Sequence, residues 1–344
     1  MSKLITLLKN IKKSYLWKIL IEYFFYPLLH FIWSFVFNFK AKILYYLWSF
    51  KKKDYFNLNN NDKLVVENNP DFNEIGKKIL LESENIVQEA KKKLLDKNYA
   101  EELKKKGNFS RSELPYSISI YDNLSNNLKR EIIEFASSDK MITTASNHMK
   151  IFPILTRVQV ELNVPREGGN LRAAMFWHKD GFGFKNLDFF MNVTDVDNEN
   201  GPFFYLEKKV KAGVLKSFDY LMKKTGERNK VSLENFDKEF KDSKQMNLNG
   251  KCGTGIFIDS FSTFHRGGFC KSKDRIILRF CYQSQDALCD TFSIDNHHFI
   301  YDETITKSNT KDLFKNFLFF KKPTIFMRFL KYRLNKFYHL IEFK

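Results

Sequence analysis

The run ILTRVQVELNV at residues 154–164 opens the part of the chain that decides the fold. It is rich in β-branched side chains, and the short apolar runs that follow it are Ala173–Trp177, Leu187–Val196, Phe203–Leu206, Gly255–Phe261 and Arg275–Gln283. Turn-forming sequences such as Asp-Gly and Asn-Gly-Pro separate these runs. Many short strands with Gly and Pro turns are typical of an antiparallel barrel or jelly roll and not of alternating βαβ units. The sequence therefore predicts an α+β chain with a mainly β core.

Helical patterns flank this core. Apolar residues keep helical spacing from Asn73 to about Lys97, and a second helix is predicted to start near Ser125. The Asn-rich stretch from Asp54 to Phe72 is predicted to be a linker. A Lys-rich helical insertion at about 210–244 would form a lid or side wall of the barrel. We divide the chain into a basic aromatic N-terminal segment (1–53), a linker with helical support (54–150), the β core (151–300) and a basic C-terminal segment (301–344).

The formal charge of +17 is concentrated at the two ends of the chain. Residues 1–53 carry a net charge of +9 and residues 313–344 carry +7, which leaves +1 for residues 54–312. A nucleic-acid-binding barrel would carry its basic charge around the barrel itself. The charge distribution therefore argues against nucleic acid as a partner.

Both basic ends are also rich in aromatic residues. The stretch 19–37 is long and apolar enough to cross a bilayer, but Glu22, Pro27 and His30 interrupt it, which favours an interfacial or re-entrant helix over a span. Residues 324–344 predict a basic amphipathic helix of the kind that lies in a membrane interface. The alternatives are a helical pair packed on the globule and a C-terminal helix docked on the barrel. We expect an anionic membrane surface as a partner and a peripheral or monotopic location on its cytoplasmic face, since the scattered cysteines fit a reducing compartment.

Two short motifs enclose the central part of the β core: FWHKD at residues 176–180 and FHRGG at residues 264–268. Residues i and i+2 of an extended segment point the same way, so His178 and Asp180 can bind one metal ion. His265 follows a later strand and is placed to supply a third ligand. Two imidazoles and one carboxylate, with open positions opposite them, form the ligand set of a mononuclear non-haem Fe(II) centre that activates O2. The sequence therefore predicts these three residues as catalytic metal ligands.

An iron centre of this kind needs a source of two electrons, which a 2-oxoglutarate cosubstrate supplies by decarboxylation. The remote carboxylate of that cosubstrate needs a permanent cation, and arginine offers a bidentate fork. Arg275 lies ten residues after His265, at the start of the next strand, and is the predicted anchor. Arg279 lies four residues further on, shares the same strand face and is the alternative.

With Thr194-Asp195-Val196 and Glu199-Asn200-Gly201-Pro202-Phe203 between them, these motifs resemble the phytanoyl-CoA dioxygenase-like family of Fe(II)/2-oxoglutarate-dependent oxygenases. The resemblance covers about residues 154–283 and implies a double-stranded β-helix, which is a cupin-like jelly roll. It also implies that a Gln and an Asn, four residues apart on the strand before the His-x-Asp pair, contact 2-oxoglutarate. The site residues that it implies are His178, Asp180 and His265 for iron and Arg275, Gln159 and Asn163 for the cosubstrate.

The chain departs from the family pattern at two places. Glu207-Lys208-Lys209 stands where the family often has Pro-Gly-Ser-His, which changes the rim where substrate would enter. Gly267 stands where the family often has Ser, which removes one possible hydrogen bond to the cosubstrate. Neither departure affects the predicted metal ligands.

The leading hypothesis is a hydroxylase for a membrane-proximal lipid, a lipid-linked sugar or a surface-glycan precursor. A carboxylate ligand at Asp180 disfavours halogenation, because a halide needs that coordination position. A nucleic-acid demethylase with the same iron chemistry and a non-catalytic, membrane-tethered barrel are the alternatives. The near-neutral charge of residues 54–312 argues against the first, and the complete ligand set argues against the second.

Overall fold

The computed structural model of the protein describes residues 26–50, 55–56, 58, 63–96, 98, 117–165, 173–180, 185–207, 233–241, 243–284 and 313–319. Within the first helix, side chains are described at Phe35 and from Asn38 onward. The predicted C-terminal helix at 324–344, residues 19–25 of the predicted helix at 19–37 and most of the predicted insertion at 210–244 lie outside the described residues, whereas residues 26–37 belong to the first helix.

The α-helices within the described residues are α1 (Tyr26–Ser49), α2 (Pro70–Leu95), α3 (Asn126–Ala136), α4 (Asp139–Met149), α5 (Leu233–Glu239) and α6 (Leu313–Leu318). Helix α2 begins where the sequence favours a start, because proline suits the first helical turn and the Asn69 side chain accepts hydrogen bonds from two backbone N–H groups. Ser125 caps α3 in the same way. The two helices predicted near residues 73–97 and after Ser125 are confirmed, and α4 is a helix that the sequence reading missed.

The strands in the part of the chain that the structure describes are β1 (Lys63–Val66), β2 (Ser117–Ser119), β3 (Ile154–Asn163), β4 (Asn186–Asn192), β5 (Phe204–Leu206), β6 (Gln245–Asn247), β7 (Gly255–Ile258), β8 (His265–Arg266) and β9 (Arg275–Gln283). They form a six-stranded sheet in the order β1-β7-β4-β9-β3-β2 and a three-stranded sheet in the order β6-β5-β8. All of the strand pairs are antiparallel.

The pairing of the strands is that of a jelly roll. From β3 onward the first strand pairs with the last (β3 with β9), β4 pairs with β7, and β5 pairs with β6. The fourth pair of the jelly roll is an isolated bridge between residue 178 and residue 265 of β8. Eight segments that pair from the outside inward make two facing sheets, which is the double-stranded β-helix that the sequence predicted.

The six-stranded sheet has two different faces because its side chains alternate along each strand. One face is apolar and belongs to a large buried cluster with helices α2, α3 and α4. The other face looks toward the three-stranded sheet, and the apolar residues buried there are Phe190, Tyr205, Leu248, Ile256 and Ile258. A smaller cluster includes Trp177, Phe236 and Phe264, and it packs α5 against the residues that directly precede residue 178 and strand β8.

Two of the predicted elements are wrong. The run Ala173–Trp177 is not a strand: residues 173–175 form a 3-10 turn, and pairing begins only at residues 177–178, because the neighbouring strand β8 is two residues long. The predicted linker Asp54–Phe72 contains β1, which pairs with β7, as well as the start of α2. The short KLVV run of β1 lies between Asn-rich stretches, so its sequence pattern did not indicate a strand.

Helix α1 packs on the globule along one side. Ala41, Leu44 and Trp48 are buried in the large core cluster. The indole N–H of Trp48 donates to the hydroxyl of Thr143 in α4 at 3.0 Å, and its ring contacts that of Phe152 at 5.4 Å. Among the described residues, no helix combines the length and apolar character needed to cross a membrane.

Candidate metal centre

Backbone hydrogen bonds bring the three predicted metal ligands together. His178 and His265 exchange two backbone N–H to C=O hydrogen bonds of 3.0 Å each. The backbone N–H of Asp180 donates to the carbonyl of Ser260, just after β7, at 2.9 Å. As a result, one donor atom from each of His178, Asp180 and His265 lies within 4.8 Å of the others.

Both imidazoles are oriented by the backbone in the same way. Nδ1 of His178 lies 2.8 Å from the carbonyl oxygen of Phe176, and Nδ1 of His265 lies 3.0 Å from the carbonyl oxygen of Thr263. A carbonyl can only accept, so Nδ1 carries the proton in each ring and Nε2 carries the lone pair in the neutral form. A second hydrogen bond of this kind is what fixes the orientation of metal-binding histidines.

The Nε2 atoms and the carboxylate face one point. Oδ1 of Asp180 lies 3.7 Å from Nε2 of His178 and 3.9 Å from Nε2 of His265. Metal–nitrogen bonds are about 2.0–2.1 Å long. Atoms at these separations can therefore bind one ion if the three side chains move slightly closer together. The donor set suits a divalent transition metal such as Fe(II). The residues present therefore fit the predicted metal centre.

Asp180 is held in its ionised form. Burial on its own would raise the pKa of this carboxyl, but the charges of Arg279, His265 and His178 lower the pKa well below its usual value. A deprotonated carboxylate is the form that binds a metal. The surroundings of Asp180 thus favour its use as a ligand.

Arg279 contacts Asp180 directly. Its Nη2 atom donates to Oδ2 of Asp180 at 2.8 Å and to Oδ2 of Asp188 in β4 at 2.7 Å. Burial would lower the pKa of this guanidinium, but Asp188 and Asp180 raise it well above its usual value. Since it is already bonded to two carboxylates, Arg279 is a poor candidate for the cosubstrate anchor.

Arg275 lies on the same strand face as Arg279, at the start of β9. It is buried, and its Nη1 atom donates to the backbone carbonyl of Gly201 in the Asn-Gly-Pro turn. Gly201 has a φ of 67°, and a Cβ atom there would overlap the backbone of Phe269 and Cys270. A glycine is therefore required for the turn to pack this closely beside Arg275.

The two amide residues implied by the family resemblance lie on the same face. Gln159 is directly opposite Arg279 in the sheet, and Asn163 is directly opposite Arg275. Asn163 is buried, and its Nδ2 atom has no hydrogen-bond partner among the described residues. A buried amide donor without a partner costs free energy unless something accepts from it. Asn163 and Arg275 together fit a carboxylate ligand, and both assignments remain predictions.

The sequence reading missed two neighbours of the site. Asp188 is 1% exposed and pairs with Arg279, and the ring of Phe203 stacks on that of His265 at 5.5 Å. An acidic residue inside the largely apolar run Leu187–Val193 was the available signal for Asp188, because a buried carboxylate needs a cation. For Phe203 the sequence held no signal beyond its aromatic character.

No protein-family model and no curated protein sequence matches the chain. Solved structures match with low identity: the α-ketoglutarate-dependent epimerase SnoN from nogalamycin biosynthesis is 14% identical with a TM-score of 0.34, over 49% of this chain and 62% of SnoN. EctD from S. alaskensis, with 2-oxoglutarate and 5-hydroxyectoine, is 15% identical with a TM-score of 0.39, over 66% of this chain and 73% of EctD. HygX from Streptomyces hygroscopicus, with nickel and 2-oxoglutarate bound, is 12% identical with a TM-score of 0.40, over 66% of this chain and 84% of HygX. Such low values leave the family and the reaction to be inferred from the site residues themselves.

Proposed function

We propose that this protein is an Fe(II)/2-oxoglutarate-dependent oxygenase of the phytanoyl-CoA dioxygenase-like kind. The observation that carries the proposal is the convergence of two backbone-oriented Nε2 atoms and one ionised carboxylate, with a buried arginine on the adjoining strand face. When bound, iron and 2-oxoglutarate supply an oxidation in which substrate C–H, 2-oxoglutarate and O2 give C–OH, succinate and CO2.

Different residues of this chain would bind the metal, bind the cosubstrate and exclude water. His178, Asp180 and His265 would occupy one side of the metal, which leaves the other positions for cosubstrate and O2. Arg275 would hold the remote carboxylate of 2-oxoglutarate through charge-assisted hydrogen bonds. The apolar residues Phe190 and Ile256 lie in the cluster between the two sheets and help to exclude water from it.

The test is formation of succinate by the purified full chain with Fe(II), 2-oxoglutarate, ascorbate and air. We expect slow succinate formation without added substrate that stops when a chelator removes the metal. The matched control is His148→Ala, which changes a histidine that lies 3.5 Å from Asp259 and outside the His-Asp-His cluster. Succinate formation that is absent from wild type, or that survives in His265→Ala, contradicts the proposal.

We propose further that the enzyme works at an anionic membrane surface through the outer side of α1. The side of α1 opposite Ala41, Leu44 and Trp48 carries exposed apolar residues, which are Phe35, Phe39, Ile43, Tyr46 and Leu47, and exposed Phe50 follows the helix directly. Exposed Lys40 and Lys42 lie on the same helix. A helix that carries aromatic and aliphatic side chains beside lysines is suited to the interface of a bilayer, and each lysine near anionic lipid contributes about 1 kcal/mol. Substrates of this enzyme would then be lipids, lipid-linked sugars or surface-glycan precursors at the cytoplasmic face.

Point substitutions test the surface better than removal of residues 1–53, because that removal would also delete the buried contacts of Trp48. We expect the triple variant Phe39→Ser, Ile43→Ser, Leu47→Ser to lose sedimentation with phosphatidylcholine vesicles that contain phosphatidylglycerol. The matched control changes three exposed apolar residues elsewhere, Val65→Ser, Leu81→Ser and Leu313→Ser, and should sediment like wild type. Equal sedimentation of the two triple variants contradicts the membrane proposal and leaves the oxygenase proposal standing.

A further inference from the structure

Arg279 occupies an unusual position, buried between two carboxylates beside the candidate metal centre. One of its nitrogens donates to Oδ2 of Asp180 and to Oδ2 of Asp188, and its guanidinium lies 4.8 Å from the centre of the Phe190 ring. Arg279 and Asp188 project from neighbouring strands, β9 and β4, into the space between the sheets. The proposed reaction as described above gives neither of them a role.

The two oxygens of Asp180 face different partners. Oδ1 is the oxygen that lies 3.7 Å and 3.9 Å from the two histidine Nε2 atoms. Oδ2 is the oxygen that accepts from Arg279. A carboxylate can bind a metal through one oxygen or through both. The contact with Arg279 therefore selects Oδ1 and withholds Oδ2.

We propose that Arg279, held by Asp188, is a positioning residue that restricts Asp180 to single-oxygen binding of the metal. This inference rests on the proposed metal centre. A two-oxygen Asp180 would occupy an additional coordination position, and the centre needs its open positions for cosubstrate and O2. Arginine suits the task because its guanidinium is planar, permanently charged and able to serve two carboxylates at once.

Asp188 has the complementary task of holding the arginine in place. It is 1% exposed, and its hydrogen bond from Arg279 is as short as the one to Asp180. Removing one partner of a buried ion pair leaves the other charge without compensation, which is strongly destabilising. Arg279→Gln alone is therefore expected to fold poorly, and the double variant Arg279→Gln, Asp188→Asn keeps similar shapes while removing both charges.

The experiment is a titration of the metal-free full chain with Co(II), whose visible absorption reports coordination number as well as affinity. Substitution of residues that orient metal ligands typically costs 10–100-fold in metal affinity. We expect the double variant to unfold within a few degrees of wild type, to bind Co(II) about 10–100-fold more weakly, and to show a changed Co(II) spectrum. Arg279→Lys, which keeps the charge on a single donor nitrogen, is expected to recover part of the affinity.

Arg130→Gln is the matched control, because Arg130 is exposed on α3 and its loss should change neither affinity nor spectrum. A folded double variant with the affinity and spectrum of wild type overturns the positioning role. A wild-type chain that binds no Co(II) overturns the proposed metal centre and this inference together. The two failures are therefore distinguishable.

Discussion

The two faces of the six-stranded sheet differ in composition although they alternate along the same strands. On β3 and β9 the outer face presents Val158, Val160, Leu278 and Phe280, which are all fully buried in the core with the helices. On the inner face the same two strands present Gln159, Asn163, Arg275 and Arg279. The apolar outer face allows the sheet to pack against the helices, and the polar inner face can bind a ligand.

The inner face of the sheet therefore carries polar side chains at a cost in stability. Burying an arginine or an amide costs free energy unless hydrogen bonds and opposite charges offset that cost. Arg279 is offset by Asp180 and Asp188, but Nδ2 of Asn163 has no partner among the described residues. We therefore expect substitutions on the outer face to lower stability and substitutions around the inner face to lower binding or catalysis.

The largest expected effect comes from Asp180→Ala in the space between the sheets. Loss of the carboxylate removes one of the three proposed metal ligands, so metal-dependent succinate formation should fall to background. Arg279 keeps Asp188 as a partner, so the fold should survive. Circular dichroism and a thermal melt check the fold, and succinate is measured in the same preparation. Full turnover by this variant would show that the metal lies elsewhere.

On the outer face, Phe189→Ala should mainly lower the stability of the fold, whereas Asp180→Ala should mainly lower activity. The Phe189 ring is fully buried and packs against Phe72, Phe257 and Phe280, with ring centres 4.8–5.7 Å away. Truncating a buried phenylalanine to alanine typically costs about 3–5 kcal/mol in the free energy of unfolding. Chemical denaturation measures this cost, with Leu81→Ala, 74% exposed, as the control. A cost below about 1 kcal/mol would remove the distinction between the faces.

An intermediate effect is expected from Arg275→Lys on the inner face. Lysine keeps the charge but not the planar pair of donor groups, so one of the proposed charge-assisted hydrogen bonds to 2-oxoglutarate would be lost. Such a bond is worth about 1.5–3 kcal/mol, which corresponds to a rise of about 10–150-fold in the KM for 2-oxoglutarate. The kcat should change little, and a thermal melt shows how much the stability depends on the hydrogen bond from Arg275 to the carbonyl of Gly201. An unchanged KM would mean that another residue anchors the cosubstrate.

The smallest effect is expected from Gly267→Ser, which restores the residue that the resembling family often has. A Cβ atom at this position would lie 3.6 Å from the carbonyl oxygen of Ala174 and 3.9 Å from Nη2 of Arg275, which are ordinary contact distances. We therefore expect a stability change within about 0.5 kcal/mol. The KM for 2-oxoglutarate should stay equal or fall by up to about fivefold, because an added hydroxyl can contribute one hydrogen bond of about 1 kcal/mol. A large rise in KM would show that this side of Arg275 has no room.

The sequence predicted the jelly roll and the meeting of His178, Asp180 and His265, because alternating runs and an i, i+2 pair carry that information locally. The sequence also predicted both ends of β9 correctly, because polar residues precede Arg275 and follow Gln283. It missed β1, which is ordered by its pairing with β7, a partner about 190 residues away. It also missed the pairing of Arg279 with Asp180 and Asp188, because which charges meet inside a barrel depends on the register of three strands.

The most direct test of the central claim is an anaerobic Fe(II) titration of wild type beside His178→Ala, Asp180→Ala and His265→Ala. The three side chains come from two separate segments and face one point, so we expect one tightly bound Fe(II) per wild-type chain and weaker binding by each single variant. Wild-type affinity in the His265→Ala variant would contradict the claim that these residues share one metal.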